Sequence, residues 1–377
     1  MSYITAPEAF SEHSNWPTNY GAWYISKVLD VLTSNPDVWS RTALFITYDE
    51  NDGFFDHLVP PHPNTPLIPG DSNVSTEHEF YPGSAYEPLA GHYGLGPRVP
   101  MYVVSPWSTG GWACSETFDH TSILRFMEQR FGIEEPQITP WRRAVAGDLT
   151  SAFDFAKRAA SAPPRPSTAA YAPTDRDRHA TYYPDPQFSA PLPVQEEGVR
   201  PARPIGYGLE VDEAPTGDAI TVDLVNRGRL GAHLQARLLA PAAAPHSYTV
   251  AAGTTLSARW PVAGDYDIHL HGPNGFFRRF AGRAGTAEPH AAMRHPGRSH
   301  VLRIDVDAPR GTTVEVVDAY AGPLRVTRTG RATLDTADSA GWYDLTVTVP
   351  GTAWVRTFAG HLDDARPSYS DPALGRR

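Results

Sequence analysis

Two stretches of this chain are near copies of one another, and they constrain what its second half can fold into. Gly264-Asp-Tyr-Asp-Ile-His-Leu-His271 precedes Arg279-Phe-Ala-Gly282, and Gly341-Trp-Tyr-Asp-Leu-Thr-Val-Thr348 precedes Thr357-Phe-Ala-Gly360. Tyr266 lies 14 residues before Phe280 and Tyr343 lies 15 before Phe358, so the copies differ by one residue. Repetition of this kind means one structural unit used twice. Apolar and polar residues alternate in each copy, the period of a strand with one buried face. Ile220-Thr-Val-Asp-Leu-Val225, His300-Val-Leu-Arg-Ile-Asp-Val306 and Thr312-Thr-Val-Glu-Val-Val317 continue the pattern, with turns between them. The spacing predicts two tandem all-β sandwich domains, 200–285 and 286–366, followed by a polar tail at 367–377.

The first 157 residues have a different rhythm. From Gly21 to Thr33, Trp23, Ile25, Val28, Leu29 and Leu32 recur at helical spacing, and Asn35-Pro36 ends the pattern. Thr42-Ala-Leu-Phe-Ile-Thr-Tyr48 is a short continuous apolar run of the kind that fills a buried parallel strand. Val99-Pro-Met-Tyr-Val-Val-Ser105 is a second. A second helix is expected over Thr121–Phe131, with Ile123, Phe126, Met127 and Phe131 on one face. This order suits an open α/β sheet, whose sites form beyond the carboxyl ends of its strands. Residues 158–199 are rich in Ala, Pro, Ser and Arg without periodicity, a linker or a surface strap.

Composition narrows the partners. The net charge is −10 over 377 residues and no dense Lys/Arg block occurs, which argues against a nucleic-acid partner. Cys114 is the single cysteine, so no intrachain disulfide framework exists. No apolar run is long enough for a transmembrane helix. Met1-Ser-Tyr-Ile-Thr-Ala-Pro7 lacks the basic and then apolar pattern of a signal peptide.

Three segments carry candidate chemistry. The apolar run ending at Tyr48 delivers Asp49 and Glu50 at its carboxyl end, then Asn51-Asp-Gly-Phe-Phe-Asp-His57. Adjacent carboxylates with a histidine nearby suit a hard or borderline divalent cation, although Asp-Glu-Asn-Asp-Gly alone also reads as a polar turn. Ser115-Glu-Thr-Phe-Asp-His-Thr-Ser122 opens the second helix, where free N–H groups and a positive dipole attract phosphate. Taken alone, Asp119 also reads as a helix cap and His120 as a solvated first-turn residue. Asp56-His57 and Asp119-His120 both follow phenylalanine, a pattern that suggests imidazoles oriented by carboxylates. Ser11-Glu-His-Ser14, before the first helix, is weaker.

In this order the segments resemble the phosphoesterase family that includes bacterial phosphocholine-specific phospholipase C and related acid phosphatases, the phospholipase branch most closely. Arg98-Val-Pro-Met-Tyr-Val-Val-Ser-Pro-Trp-Ser108, Pro140-Trp-Arg-Arg-Ala-Val-Ala-Gly-Asp-Leu-Thr-Ser-Ala-Phe-Asp-Phe155 and Gln195-Glu-Glu-Gly-Val-Arg-Pro-Ala-Arg-Pro204 also match, as do the tandem β domains. The resemblance implies an alkaline-phosphatase-like α/β catalytic portion, one divalent metal ion of unknown identity, and attack on phosphorus by a metal-bound Ser or Thr. It implies Asp49 and Glu50 as metal ligands, His57, His120 and His13 as catalytic residues, and Asp56 and Asp119 as their supports. It further implies a phospholipid substrate met at a membrane surface, and a secreted or periplasmic protein.

One departure is large. The family's Glu-Asn metal motif, within a Glu-Asn-Arg-Ser-Phe-Asp-His-like sequence, and its nucleophile are not found in these 377 residues. Met1 falls mid-domain in the family. The expectation is therefore a truncated product, a split gene whose second chain supplies the other catalytic half, or a mis-called start, and a chain inactive by itself.

Choline recognition needs aromatic faces, since each cation–π contact contributes roughly 0.5–2 kcal/mol. Tyr81, Tyr86, Trp107 and Trp112 lie between the two histidine segments and are candidates, each with packing as the commoner role. A phosphomonoesterase and a non-catalytic module that binds lipid or cell-surface material are the rival readings.

Overall fold

Proline and asparagine set the first elements. α1 (Thr18–Ser34) runs up to Asn35, whose side-chain oxygen accepts from the backbone N–H groups of Asp37 and Val38 and so starts α2 (Pro36–Trp39), with Pro36 in its first turn. The computed structural model describes residues 1–54, 58–182, 194, 196–215, 217–295, 300–327 and 330–375. Strands β1 (Leu44–Thr47), β2 (Gly70–Ser72), β3 (Phe80–Tyr81), β4 (Gly91–His92) and β5 (Met101–Val104) come next, then α3 (Thr121–Phe131) and α4 (Pro140–Val145). A short β6 (Pro201–Ala202) leads into the first repeat: β7 (Leu209–Pro215), β8 (Ala219–Asn226), β9 (Ala232–Ala240), β10 (His246–Val250), β11 (Thr255–Pro261), β12 (Asp265–His271) and β13 (Phe277–Arg283). The second repeat holds β14 (His290–Arg294), β15 (Val301–Asp307), β16 (Glu315–Asp318), β17 (Gly322–Leu324), β18 (Arg331–Asp335), β19 (Trp342–Thr348) and β20 (Val355–His361), and β21 (Ser368–Tyr369) follows it.

The chain divides into two compact units. The first holds residues 1–58, 97–111 and 153–196. Within it Phe10 stacks on Trp23 and Tyr24 of α1, with ring centroids 5.8 and 5.4 Å apart. Residues 165–182 run along the same helix: Arg165 pairs with Asp30 at 2.8 Å, Thr168 with Ser26 at 2.6 Å, and the Tyr182 and Tyr20 hydroxyls meet at 3.0 Å. β1 and β5 pair antiparallel, Leu44 opposite Val104 and Thr47 opposite Met101, where the apolar runs suggest parallel strands. An apolar run reports covered faces and carries no information on direction. Here the residues between the two strands, 59–96, leave for the other unit instead of forming the crossover helix a parallel pair requires.

The second unit holds residues 59–96, 112–152 and 197–377. Its core is two β-sandwiches that share a sheet. The shared sheet has nine strands in the order β17-β16-β19-β20-β13-β12-β9-β10-β2. β11-β8-β7 covers one half of it around Trp260, Ile268 and Leu234, and β14-β15-β18 covers the other around Leu302, Ile304 and Leu345. Sequence places a boundary near residue 157, whereas residues 59–96 and 112–152 group with the repeats. The cause is packing: β2 adds to β10 in parallel, and the fully buried Trp141 of α4 donates from its indole N–H to Thr249 Oγ1 at 2.9 Å.

The repeats join through β13 and β20, with Arg279 opposite Thr357. Phe280 and Phe358 are counterparts in the repeat, so Arg279 faces its own counterpart and a local two-fold axis passes between them. The same symmetry gives each repeat an arginine inside the other. Arg278 reaches the Tyr343 hydroxyl at 3.2 Å and the Ala359 carbonyl at 2.9 Å. Arg356 reaches the Tyr266 hydroxyl at 3.0 Å and the Ala281 carbonyl at 2.8 Å. The copies are not equal: Glu213 of β7 grips Arg356 with both carboxylate oxygens, one at 2.7 Å from Nε.

Candidate active site

The carboxyl end of β1 turns sharply. Asp52 (φ 46°) and Gly53 (φ 81°) both adopt left-handed backbone, and Phe54 N–H donates to the Asn51 carbonyl at 2.8 Å, a turn that asparagine, aspartate and glycine tolerate best. The turn swings Asp52 back beside Glu50. His13 completes a group in which one ligand atom from each residue lies within 4.8 Å of the others. The Ser11-Glu-His segment is held there by Glu12, which has φ 64° and accepts the Tyr48 hydroxyl at 2.8 Å. Burial and this hydrogen bond push the Tyr48 hydroxyl's pKa upward. Gly21 gives Glu12 its room, because a Cβ there would stand 2.2 Å from the Glu12 carboxylate.

The donor set fits a divalent cation. One imidazole and two carboxylates are borderline-to-hard ligands that leave coordination positions open. Asp52 Oδ2 is buried and has no hydrogen-bond partner among the described residues, an arrangement that costs free energy until something positive or protic reaches it. Asn15 orients the histidine, its side-chain amide lying 2.8 Å from His13 Nδ1.

Of the sequence-predicted residues, the structure thus gathers His13 and Glu50 and adds Asp52. Asp49 sits at the same turn and accepts the Glu50 N–H at 3.1 Å. Asp56 and His57 lie outside the described residues. In the second unit, Asp119 accepts both the N–H and the hydroxyl of Thr121, at 2.9 and 2.6 Å, and so fixes the start of α3. Its other oxygen meets Arg142 at 2.8 Å. Arg142 also holds Glu79 at 3.2 Å, a carboxylate only 1% exposed whose Oε2 has no hydrogen-bond partner among the described residues. His120 is exposed at the helix start. Tyr81 and Tyr86 stand on the β3–β4 hairpin, Tyr86 fully exposed. One face of Trp112 is taken by the Arg203 guanidinium at 4.6 Å, and Trp107 packs on Phe155 at 6.0 Å, which matches the packing role more than a choline cage.

Asp52, Glu12 and Glu79 are functional candidates that the sequence reading passed over. Asp52 reads as turn chemistry, and its left-handed conformation is the only local signal. Glu79 has none.

Residues 1–134 match the Phosphoesterase family. Residues 201–283 and 290–361 each match the bacterial phospholipase C C-terminal domain. The first part of the chain thus matches one family and its two repeats match another. The non-hemolytic phospholipase C of Burkholderia pseudomallei is 45% identical over 399 residues, covering 99% of this chain and 57% of the relative. The non-hemolytic phospholipase C of Pseudomonas aeruginosa is 40% identical, covering 100% and 58%. Non-specific phospholipase C1 of Arabidopsis thaliana is 29% identical over 153 residues, covering 38% of this chain and 26% of the relative. The chain therefore spans somewhat more than half the length of the bacterial relatives.

Proposed function

We propose that this chain belongs to a metal-dependent phosphodiesterase of the phospholipase C type that releases phosphocholine from phosphatidylcholine, on an alkaline-phosphatase-like catalytic fold. The observation that carries the proposal is the grouping of His13, Glu50 and Asp52 inside the region that matches the phosphoesterase family. These three side chains would hold the ion. A bound divalent cation supplies Lewis acidity and a lowered pKa to an oxygen nucleophile. Asn15 presents His13 to it, and Glu12 with Tyr48 fixes the backbone that carries His13. His120, at the amino end of α3, keeps the catalytic role that the family resemblance gives it, with Asp119 and Arg142 fixing the helix start. His57 keeps the role that the family resemblance gives it, and Asp49 a supporting place beside Glu50. Phospholipid is met at a membrane surface from outside the cytoplasm in this reading. Among the described residues no helix is long and apolar enough to cross a membrane.

The test compares hydrolysis of p-nitrophenylphosphorylcholine and p-nitrophenyl phosphate by the protein encoded by the whole open reading frame, with and without chelator. Chelator-sensitive preference for the choline diester is expected. Preference for the monoester would overturn the substrate class in favour of a phosphomonoesterase. Vesicle binding without hydrolysis of either compound would favour the lipid-binding module.

A further inference from the structure

Of the cross-strand positions at which the two repeats differ, one builds a second constellation. In the first repeat Asp265 of β12 faces Arg283 of β13, an exposed ion pair at 2.7 Å. The counterparts in the second repeat are Trp342 of β19 and His361 of β20, whose rings pack 4.8 Å apart. The chain after His361 turns back so that Asp363 Oδ1 accepts from His361 Nδ1 at 2.6 Å. Asn274 Nδ2 donates to the same oxygen at 3.1 Å. On the far side of the ring, His361 Nε2 lies 2.9 Å from Ser368 Oγ. The His361 and Asp363 side chains are only 8% and 9% exposed. Ser368, His361 and Asp363 line one cleft with Trp342, Tyr369 and Arg366.

We propose that Ser368, His361 and Asp363 form a metal-independent nucleophilic site for small activated esters. A nucleophile, a base within hydrogen-bond reach and a third group orienting the base are the geometric requirements of covalent acyl transfer, whatever the fold. Ser368 Oγ attacks the ester carbonyl carbon while its proton passes to His361 Nε2. Asp363 holds the imidazolium that forms. As the ester C–O bond breaks, the leaving alkoxide or phenoxide takes that proton. Water then attacks the acyl-serine with His361 as base, and the carboxylic acid departs. Arg203 and Arg366 are the cations among the residues that line the cleft. The Ala340 carbonyl competes for the serine: it lies 2.7 Å from Ser368 Oγ and 3.0 Å from His361 Nε2. A serine resting there only pins β21 to the second repeat, and the experiment separates the two roles.

The full chain, held in EDTA, is treated with an aryl fluorophosphonate. Attack by Ser368 Oγ forms a Ser–P bond and expels fluoride. Peptide mass spectrometry should place the label on Ser368, with none in Ser368→Ala. His361→Gln and Asp363→Asn should slow labelling roughly 10³–10⁴-fold, the scale for disabling such a relay. A folded wild-type protein left unlabelled at Ser368, or full-rate labelling of folded His361→Gln, would each overturn the proposal. If His361→Gln fails to fold, wild-type labelling at Ser368 and the rate of Asp363→Asn still decide.

Discussion

Asp52 shows how a candidate site residue can hide in turn chemistry. Its sequence context, Asn-Asp-Gly, is what a tight left-handed turn requires, and nothing local distinguishes a ligand from a turn former. Glu50 was legible because carboxylates at the end of an apolar strand are a known place for cations. His13 was visible as a residue but not as a neighbour of Glu50, because 37 residues and the whole of α1 separate them in sequence. The geometry ranks the acidic residues. Asp52→Asn and Glu50→Gln should each weaken binding of Mn²⁺ or Zn²⁺ by at least the roughly 10–100-fold that losing a ligand's outer support costs. Asp49→Asn should weaken it less, since Asp49 already accepts the Glu50 N–H. Calorimetric titration of the three variants checks the order, and equal affinities would remove Asp52 from the site.

At the scale of elements, the β3–β4 region meets the first repeat through histidines. His62 packs between His92 and His233, with ring centroids 4.6 and 5.3 Å away, and bonds Gln235 at 3.1 Å. Burial pushes the His233 pKa down to about 3, and it lowers His62 as well, with the neighbouring histidines adding to the effect. Folded-state values below the unfolded one mean that the unfolded chain binds more protons under about pH 6.5. Stability is therefore full above that pH and falls as the medium is acidified toward about 3, by about 1.4 kcal/mol per pH unit for His233. The urea midpoint should drop between pH 6.5 and 4, and His233→Gln should flatten the dependence. A midpoint with no slope in wild type would show that these rings do not titrate with folding. None of this was legible beforehand: the three histidines lie on segments far apart in sequence, and a lone histidine carries no pattern. The direction of β5 was equally silent, whereas α1 and α3 announced themselves through the period of their apolar faces.

Across the whole second unit, the repeat signalled two sandwiches, and the structure holds two cores. The shared sheet was not visible, because register between β13 and β20 depends on edges and on buried charge, which periodicity does not encode. Arg356 and Glu213 are the sharpest case, both nearly fully buried and locked together between the repeats. Burial alone would lower the arginine's pKa, yet the Glu213 carboxylate outweighs it and raises the value. Arg356→Met leaves Glu213 uncompensated in the interior and should cost about 3–5 kcal/mol, read as a fall in the denaturation midpoint. Arg356→Met with Glu213→Leu should recover most of that loss. A double variant no better than the single one would show that the pair itself, and not the stranded charge, sets the cost.

The axis between Arg279 and Thr357 has a consequence for protein engineering. Each repeat offers the other an edge that closely resembles its own, so the pairing amounts to a dimer tied into one polypeptide. Cut after residue 285, the first repeat keeps its own core but bares β13, an unguarded edge strand. Such a fragment should meet a second copy of itself edge to edge and sediment as a dimer, and a proline at Arg279 should return it to a monomer.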